Sequence, residues 1–274
     1  SGARADSARM KTRTLPLALA ALALAACSTT ETVGPAAKEE IVAVSAANEI
    51  LRFNAGQPQR VRDRRPLTGL RTGERLLGID YRVAKGQLYA LGASGQLYRI
   101  DPAAAVATPV GNAVTLPAGG REWGFDFNPT VDRIRVVSDT GQNLRLHPDT
   151  GALVAVDGPL AYADGKPGAI VAAGYTYNSK DEKLTTNYAL DGAAGTLVHQ
   201  GSIEGATPAV SPNTGRLTTV GALGLGPFAH ATLDISDVHN TAYAALRQGD
   251  RTRWVRIELA TGRATVIGTV AVDV

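Results

Sequence analysis

The sequence predicts an all-β protein, a β-propeller built from four-stranded antiparallel blades. Three observations predict it: short glycine-bounded segments recur with one internal grammar, alternating apolar and polar runs follow each at a regular spacing, and few segments sustain a helical period.

The recurring segment opens four units, as Leu77-Gly78-Ile79-Asp80-Tyr81, Trp123-Gly124-Phe125-Asp126-Phe127, Ala173-Gly174-Tyr175-Thr176-Tyr177 and Ala231-Thr232-Leu233-Asp234-Ile235. Each is an inner strand. Second strands are expected around Leu88-Tyr89-Ala90, Ile134-Arg135-Val136, Leu184-Thr185-Thr186 and Ala242-Tyr243-Ala244, at one register from the opening motif. Third strands follow at 96–102, 143–148, 196–199 and 254–258, with the alternation of half-buried strands. The turns Asp149-Thr150-Gly151, Asn213-Thr214-Gly215 and Thr261-Gly262 then lead to fourth strands ending near Val156, Val220 and Ile267. An opening fragment, Ile41-Val42-Ala43-Val44 and Ile50-Leu51-Arg52-Phe53-Asn54, matches second and third strands with the first one missing. Radial repetition of such units is the propeller signature, and five blades fit the length. The segment from Thr269 to Val274 is expected to complete the first blade.

Ahead of this domain (41–274) lie three segments. Residues 1–9 show no pattern and read as a vector remnant or a mis-called start. Residues 10–26 read as a signal peptide, with Met10, Lys11 and Arg13 before an apolar run from Leu15 to Ala26. That run is 12 residues long, whereas a bilayer-spanning helix needs about 20. It closes on Leu24-Ala25-Ala26-Cys27, which resembles the bacterial lipoprotein processing motif. The resemblance implies a diacylglyceryl group on the Cys27 thiol, cleavage before it and an anchor of two or more acyl chains. Ser28 stands where an aspartate would signal inner-membrane retention, so the outer membrane or periplasmic face is expected. Residues 27–40 read as the lipidated cysteine and a flexible tether.

Cys27 is the single cysteine, which excludes an intramolecular disulfide or a thiolate cluster. The pI near 9.1 suggests a polyanion partner, but the basicity belongs to the signal. Of 28 basic and 25 acidic side chains, Arg4, Arg9, Lys11, Arg13 and Asp6 fall within 1–26, leaving 24 of each. The mature chain is formally neutral and lacks a nucleic-acid footprint. Arg60, Arg62, Arg64 and Arg65, interrupted by Asp63, read as a solvated loop.

Within the repeats, Leu77 to Tyr81 with Gly86 to Gly92, Gly124 to Pro129 with Arg133 to Ser138, and Asp139-Thr140-Gly141-Gln142-Asn143-Leu144-Arg145-Leu146 followed by His147-Pro148-Asp149-Thr150-Gly151 resemble the domain-of-unknown-function family 4394. The resemblance spans about 41–270. It implies a propeller-like exported bacterial protein and supplies no catalytic residues.

Asp80, Asp126 and Asp234 occupy one repeat-equivalent position on inner strands and could converge at one end of the channel. Gathered carboxylates suit a hard divalent cation such as calcium. The structural alternative is that each accepts backbone hydrogen bonds within its own blade, and Thr176 at that place in the third full unit weakens a ring. Asn128, Arg133, Arg135, Asp139 and Asn143 form a second candidate group, suited to a carbohydrate or small anion. Such residues are also ordinary in turns. His147, His199, His230 and His239 have no zinc-site spacing. The glycine-rich run 221–226 lacks the lysine of a phosphate loop, and no Gly-x-Ser-x-Gly elbow occurs. Trp123 and Trp254 are expected in the core. The functional expectation is a membrane-anchored binding module for an unknown small molecule, carbohydrate or protein, rather than an enzyme. The alternative is a metal-dependent hydrolase or lactonase of propeller type.

Overall fold

The computed structural model describes residues 31–274. Cys27 and the signal segment lie outside the described residues. The strands form five sheets, each a meander ordered from an inner to an outer strand. Blade 1 holds β1 (Glu40–Val44), β2 (Glu49–Asn54) and β3 (Arg62–Pro66). Blade 2 holds β4 (Leu76–Arg82), β5 (Gln87–Gly92), β6 (Leu97–Asp101) and β7 (Val106–Val110). Blade 3 holds β8 (Trp123–Asn128), β9 (Arg133–Ser138), β10 (Asn143–Leu146) and β11 (Leu153–Val156). Blade 4 adds β12 (Ala161–Tyr162), parallel to its outermost strand, to β13 (Ile170–Tyr175), β14 (Asn187–Asp191), β15 (Thr196–Gln200) and β16 (Arg216–Ala222). Blade 5 holds β17 (His230–Ile235), β18 (Ala242–Gln248), β19 (Arg251–Ile257) and β20 (Ala264–Thr269). The five-bladed propeller predicted from the repeats is the fold observed.

Apolar side chains on the blade faces meet between neighbouring blades, and each interface has its own core. Tyr89 and Leu97 pack on Phe125, Phe127 and Val136 between blades 2 and 3. Ile50 packs on Leu88 and Tyr98 between blades 1 and 2, and Leu190 and Leu197 on Leu233 and Leu246 between blades 4 and 5. The interface of blades 3 and 4 draws on Val137 against Ile170 and Val198. The repeated glycine of the opening motif has a packing cause: a Cβ on Gly78 would stand 2.6 Å from the Phe125 Cβ, and one on Gly124 2.7 Å from the Ala173 backbone nitrogen. Inner strands approach too closely there for any side chain.

Five details differ from the sequence expectation. First, β1 lines the channel, so the opening fragment supplies the first and second strands of its blade, and the fourth is the one lacking. Second, the C-terminal segment adds no strand to blade 1. The ring closes by packing instead, with Leu51 and Phe53 against Tyr243 and Trp254 and the Trp254 indole N–H donating to the Ala55 carbonyl at 2.9 Å. Third, the hairpin of blade 4 is longer than its counterparts. Tyr175 pairs with Asn187, so the second strand begins at Asn187 rather than near Leu184. The Thr176 hydroxyl accepts from Thr186 N at 2.8 Å and closes the hairpin neck. Fourth, the arginine-rich stretch is not a loop; most of it forms β3, where Arg62 pairs with Glu40 and Arg64 with Glu49. Charged side chains on an outermost strand discourage edge-to-edge association. Fifth, the end of the expected tether lies on blade 1, with Ala37 N donating to the Asn54 side chain at 2.7 Å and Gln57 to the Gly34 carbonyl at 3.0 Å.

Candidate functional site in the central channel

The inner strands β1, β4, β8, β13 and β17 enclose a cavity of about 710 Å³. Its wall is apolar over most of its length, from Leu77, Ile79, Phe125, Ala173 and Leu233, and its polar groups sit towards the strand ends. Towards one end, Asp80, Asp126 and Asp234 converge, with one carboxylate oxygen from each within 4.8 Å of the others. Three different blades supply them. Asp126 is buried, Asp80 half-buried and Asp234 exposed at the channel surface, although all three are crowded by surrounding protein atoms.

Each carboxyl also has backbone donors nearby. Asp80 accepts from Tyr81 N at 2.6 Å and, across the blade boundary, from Phe127 N at 2.7 Å. The nearby N–H groups of Tyr175, from blade 4, and Ile235 favour the ionised forms of Asp126 and Asp234. Asp80 therefore stitches blade 2 to blade 3, where the structural alternative placed every bond within one blade. Burial pushes the Asp80 carboxyl well above the usual carboxylate range, and the Asp234 charge adds to it. Burial does the same to Asp126, helped by the charges of Asp80 and Asp234. Asp234 is raised by burial and by Asp237. Asp80 and Asp126 both hold their protons well above the usual carboxylate range in this arrangement. Like charges this close cannot all ionise without a counter-charge.

Four residues before Asp126 and Asp234 stand Glu122 and His230, bonded to each other at 2.5 Å. At a strand's rise of about 3.4 Å per residue, this pair lies roughly 14 Å along the channel from the carboxylates. Glu122 raises the His230 pKa. No local pattern marks this pair, because its members are 108 residues apart and meet only across the ring.

The second candidate group divides. Asn128, Arg133 and Arg135 line a separate cleft between blades 3 and 4. Asn143 stands behind Arg135 and accepts from its guanidinium at 2.8 Å. Asp139 lies apart, at the turn after β9, where it accepts from Arg121 N and Glu122 N. Trp123 and Trp254 are buried, the latter stacked on Tyr243 with centroids 5.4 Å apart. His147 and His199 make local contacts to Asp149 N and the Gly201 carbonyl.

A family model described as Domain of unknown function (DUF4394) matches residues 49–274, from the second strand of blade 1 through blade 5. The chain belongs to the DUF4394 family. No curated protein matches its sequence. Among solved structures, this family member is similar to an auxiliary nutrient binding protein from Bacteroides ovatus, with 10% identity and a TM-score of 0.48 over 83% of this chain and 53% of that one. It is also similar to a structural-genomics protein of unknown function from Bacteroides thetaiotaomicron, at 14% identity and a TM-score of 0.47 over 82% and 56%. A third is a candidate 6-phosphogluconolactonase from Bacteroides uniformis, at 17% identity and a TM-score of 0.43 over 85% and 70%. The chain spans little more than half the length of the first two.

Proposed function

We propose that the protein is an exported ligand-binding propeller, held at a membrane through a lipid on Cys27, whose central channel takes a small ligand above a divalent cation on Asp80, Asp126 and Asp234. One observation carries the reading: an apolar channel of about 710 Å³ with three convergent carboxyls at one end. Binding cavities of some 300 to 1,000 Å³ with few, grouped polar atoms are typical of small-molecule sites. The donor set suits a hard cation. Oxygens around one calcium ion lie 2.3–2.6 Å from it, hence up to about 5.2 Å from one another, and the three oxygens here lie within 4.8 Å of one another. A cation would let all three carboxyls ionise, while Tyr81 and Phe127 hold the orientation of Asp80 through backbone N–H groups.

The test is a calcium, magnesium, manganese and zinc titration of the chelator-stripped mature protein, followed by calorimetry and thermal unfolding. Calcium is expected to bind and raise Tm, and Asp80→Asn, Asp126→Asn and Asp234→Asn each to abolish the effect. Failure of every divalent ion to bind would remove the cation, and with it the hydrolase alternative, in which the same ion would polarise a carbonyl or activate water.

A further inference from the structure

The interface between blades 3 and 4 holds a second cavity, of about 660 Å³, lined by Asn128, Arg133, Arg145, Tyr175, Lys183 and Asn213 among others. Its charge is unbalanced. Arg135 and Arg145 share the single carboxylate of Asp157, at 2.6 and 2.8 Å. Arg133 is met only by the carbonyls of Val131 and Asp132. The lysine ion pairs among the described residues are Lys85–Asp149 and Lys166–Asp164, so Lys183 takes part in none. Against these four cations stand Asp157 and Glu204.

The floor is polar as well as positive. Arg135, with 2% of its side chain exposed, donates to Tyr175 Oη, Asn143, Asp157 and Asn213 and is thereby fixed in place. Tyr175 pairs in register with Asn187, and Asn187 with Gln200, so the three side chains share one face of blade 4. Asn187 is 1% exposed, yet neither atom of its amide has a protein partner, nor does the Gln200 carbonyl oxygen. Asn187 and Gln200 stand behind the lining rather than on it, so recognition in the cleft falls to the side chains that reach its surface.

We propose that this cleft binds a small hydroxylated oxyanion, a sugar acid or sugar phosphate, at a site separate from the channel. Arg133 and Lys183 at the rim would take the carboxylate or phosphate, with Arg145 and Arg135 supplying fixed positive charge behind them. Arginine presents a planar fork of donors to such groups. Asn128, Thr130, Thr185 and Asn213 offer amides and hydroxyls to the ring hydroxyls.

The experiment is calorimetric titration of the full mature protein with glucuronate, glucose 6-phosphate, inorganic phosphate and glucose. Either acidic sugar should bind, with glucose and inorganic phosphate roughly 10-fold weaker or more, since each lacks half of the recognised chemistry. Which acidic sugar binds tighter identifies a carboxylate or a phosphate as the anionic group. The double substitution Arg133→Ala/Lys183→Ala should weaken binding roughly 10- to 100-fold, the loss of charge-assisted hydrogen bonds. Both side chains reach solvent, so the variant should fold. Asp234→Asn, on blade 5, should leave sugar binding unchanged while removing calcium binding, which keeps this site distinguishable from the channel. No binding of either acidic sugar, equal binding of inorganic phosphate, or undiminished binding in the double variant would each overturn the proposal.

Discussion

Replacing Asp126 by asparagine should stabilise the cation-free domain, by an amount that grows with pH. Two carboxylates whose oxygens lie within 4.8 Å of each other repel by about 3.5 kcal/mol or more at an effective dielectric near 20. Ionising the whole trio would thus cost on the order of 10 kcal/mol, as much as the net stability of many domains. Holding a proton on Asp126 costs instead about 1.4 kcal/mol for each pH unit above the unfolded value near 3.9. That is about 2 kcal/mol near pH 5.5 and about 5 near pH 7.5, so keeping the proton is the cheaper course. A carboxyl raised in the fold contributes stability that is fully present below its unfolded pKa and lost as pH rises through its folded one; asparagine has no such proton to lose. Its amide keeps the size of the protonated carboxyl and can both donate and accept hydrogen bonds. Asp126→Asn should therefore match the parent near pH 4 and gain about 2 kcal/mol near pH 5.5 and at most about 5 near pH 7.5, in chelator. Urea unfolding followed by the fluorescence of Trp123 and Trp254 measures it. A variant less stable at every pH, or a gain that does not change with pH, would refute the reasoning and leave the trio a structural role alone.

Gly124→Ala should cost about 1–3 kcal/mol, because its Cβ would sit 2.7 Å from a backbone nitrogen of the next blade, which cannot turn aside; a lower urea midpoint with an unchanged m-value is the expected reading. For the anchor, cells fed a labelled fatty acid should lipidate the parent and not Cys27→Ser, and an unlabelled parent would remove Cys27 from the account.

The blade grammar was legible where side chains alternate between two buried faces. Units 2, 3 and 5 keep the same hairpin between inner and second strand, so Asp80, Asp126 and Asp234 fall opposite Tyr89, Arg135 and Tyr243. Their shared position could be read before any coordinates. Outer strands are legible in blades 3, 4 and 5 from the turns ahead of them, and β11, β16 and β20 end at or within two residues of the expected Val156, Val220 and Ile267. In blades 1 and 2 one or both faces meet solvent and the pattern dissolves, so that β3 reads Arg-Asp-Arg-Arg-Pro and β7 Val-Ala-Thr-Pro-Val. The long hairpin of blade 4 leaves no sequence signal because residues 178–186 carry no period, and the register shared by the other units lands inside its turn. Pairs that depend on ring geometry left no local trace. Arg82 is one such case, buried from blade 2 against Asp132 and Asp149 of blade 3 and holding the Asp149 carboxyl at about 2.

The repeat position facing the aspartates also shows where this propeller departs from its own symmetry. In blades 2 and 5 it is tyrosine, and each ring joins an interblade core, Tyr89 against Phe127 and Tyr243 against Trp254. In blade 3 it is Arg135, and the same face meets Tyr175, Asn143, Asp157 and Asn213. A single change from an aromatic to a guanidinium thus belongs to an interface whose blade-3 apolar contribution is Val137 alone. Structural roles recur from blade to blade, whereas a binding site needs groups that one interface has and the others lack. The blade 3–4 cleft meets that condition. Tyr175 links it to the inner strands, since it ends β13 while its hydroxyl accepts from Arg135. Blade 3 thus contributes to both candidate sites, with a carboxyl on β8 and a guanidinium opposite it on β9, while blades 2 and 5 complete the channel trio and blade 4 the second wall of the cleft.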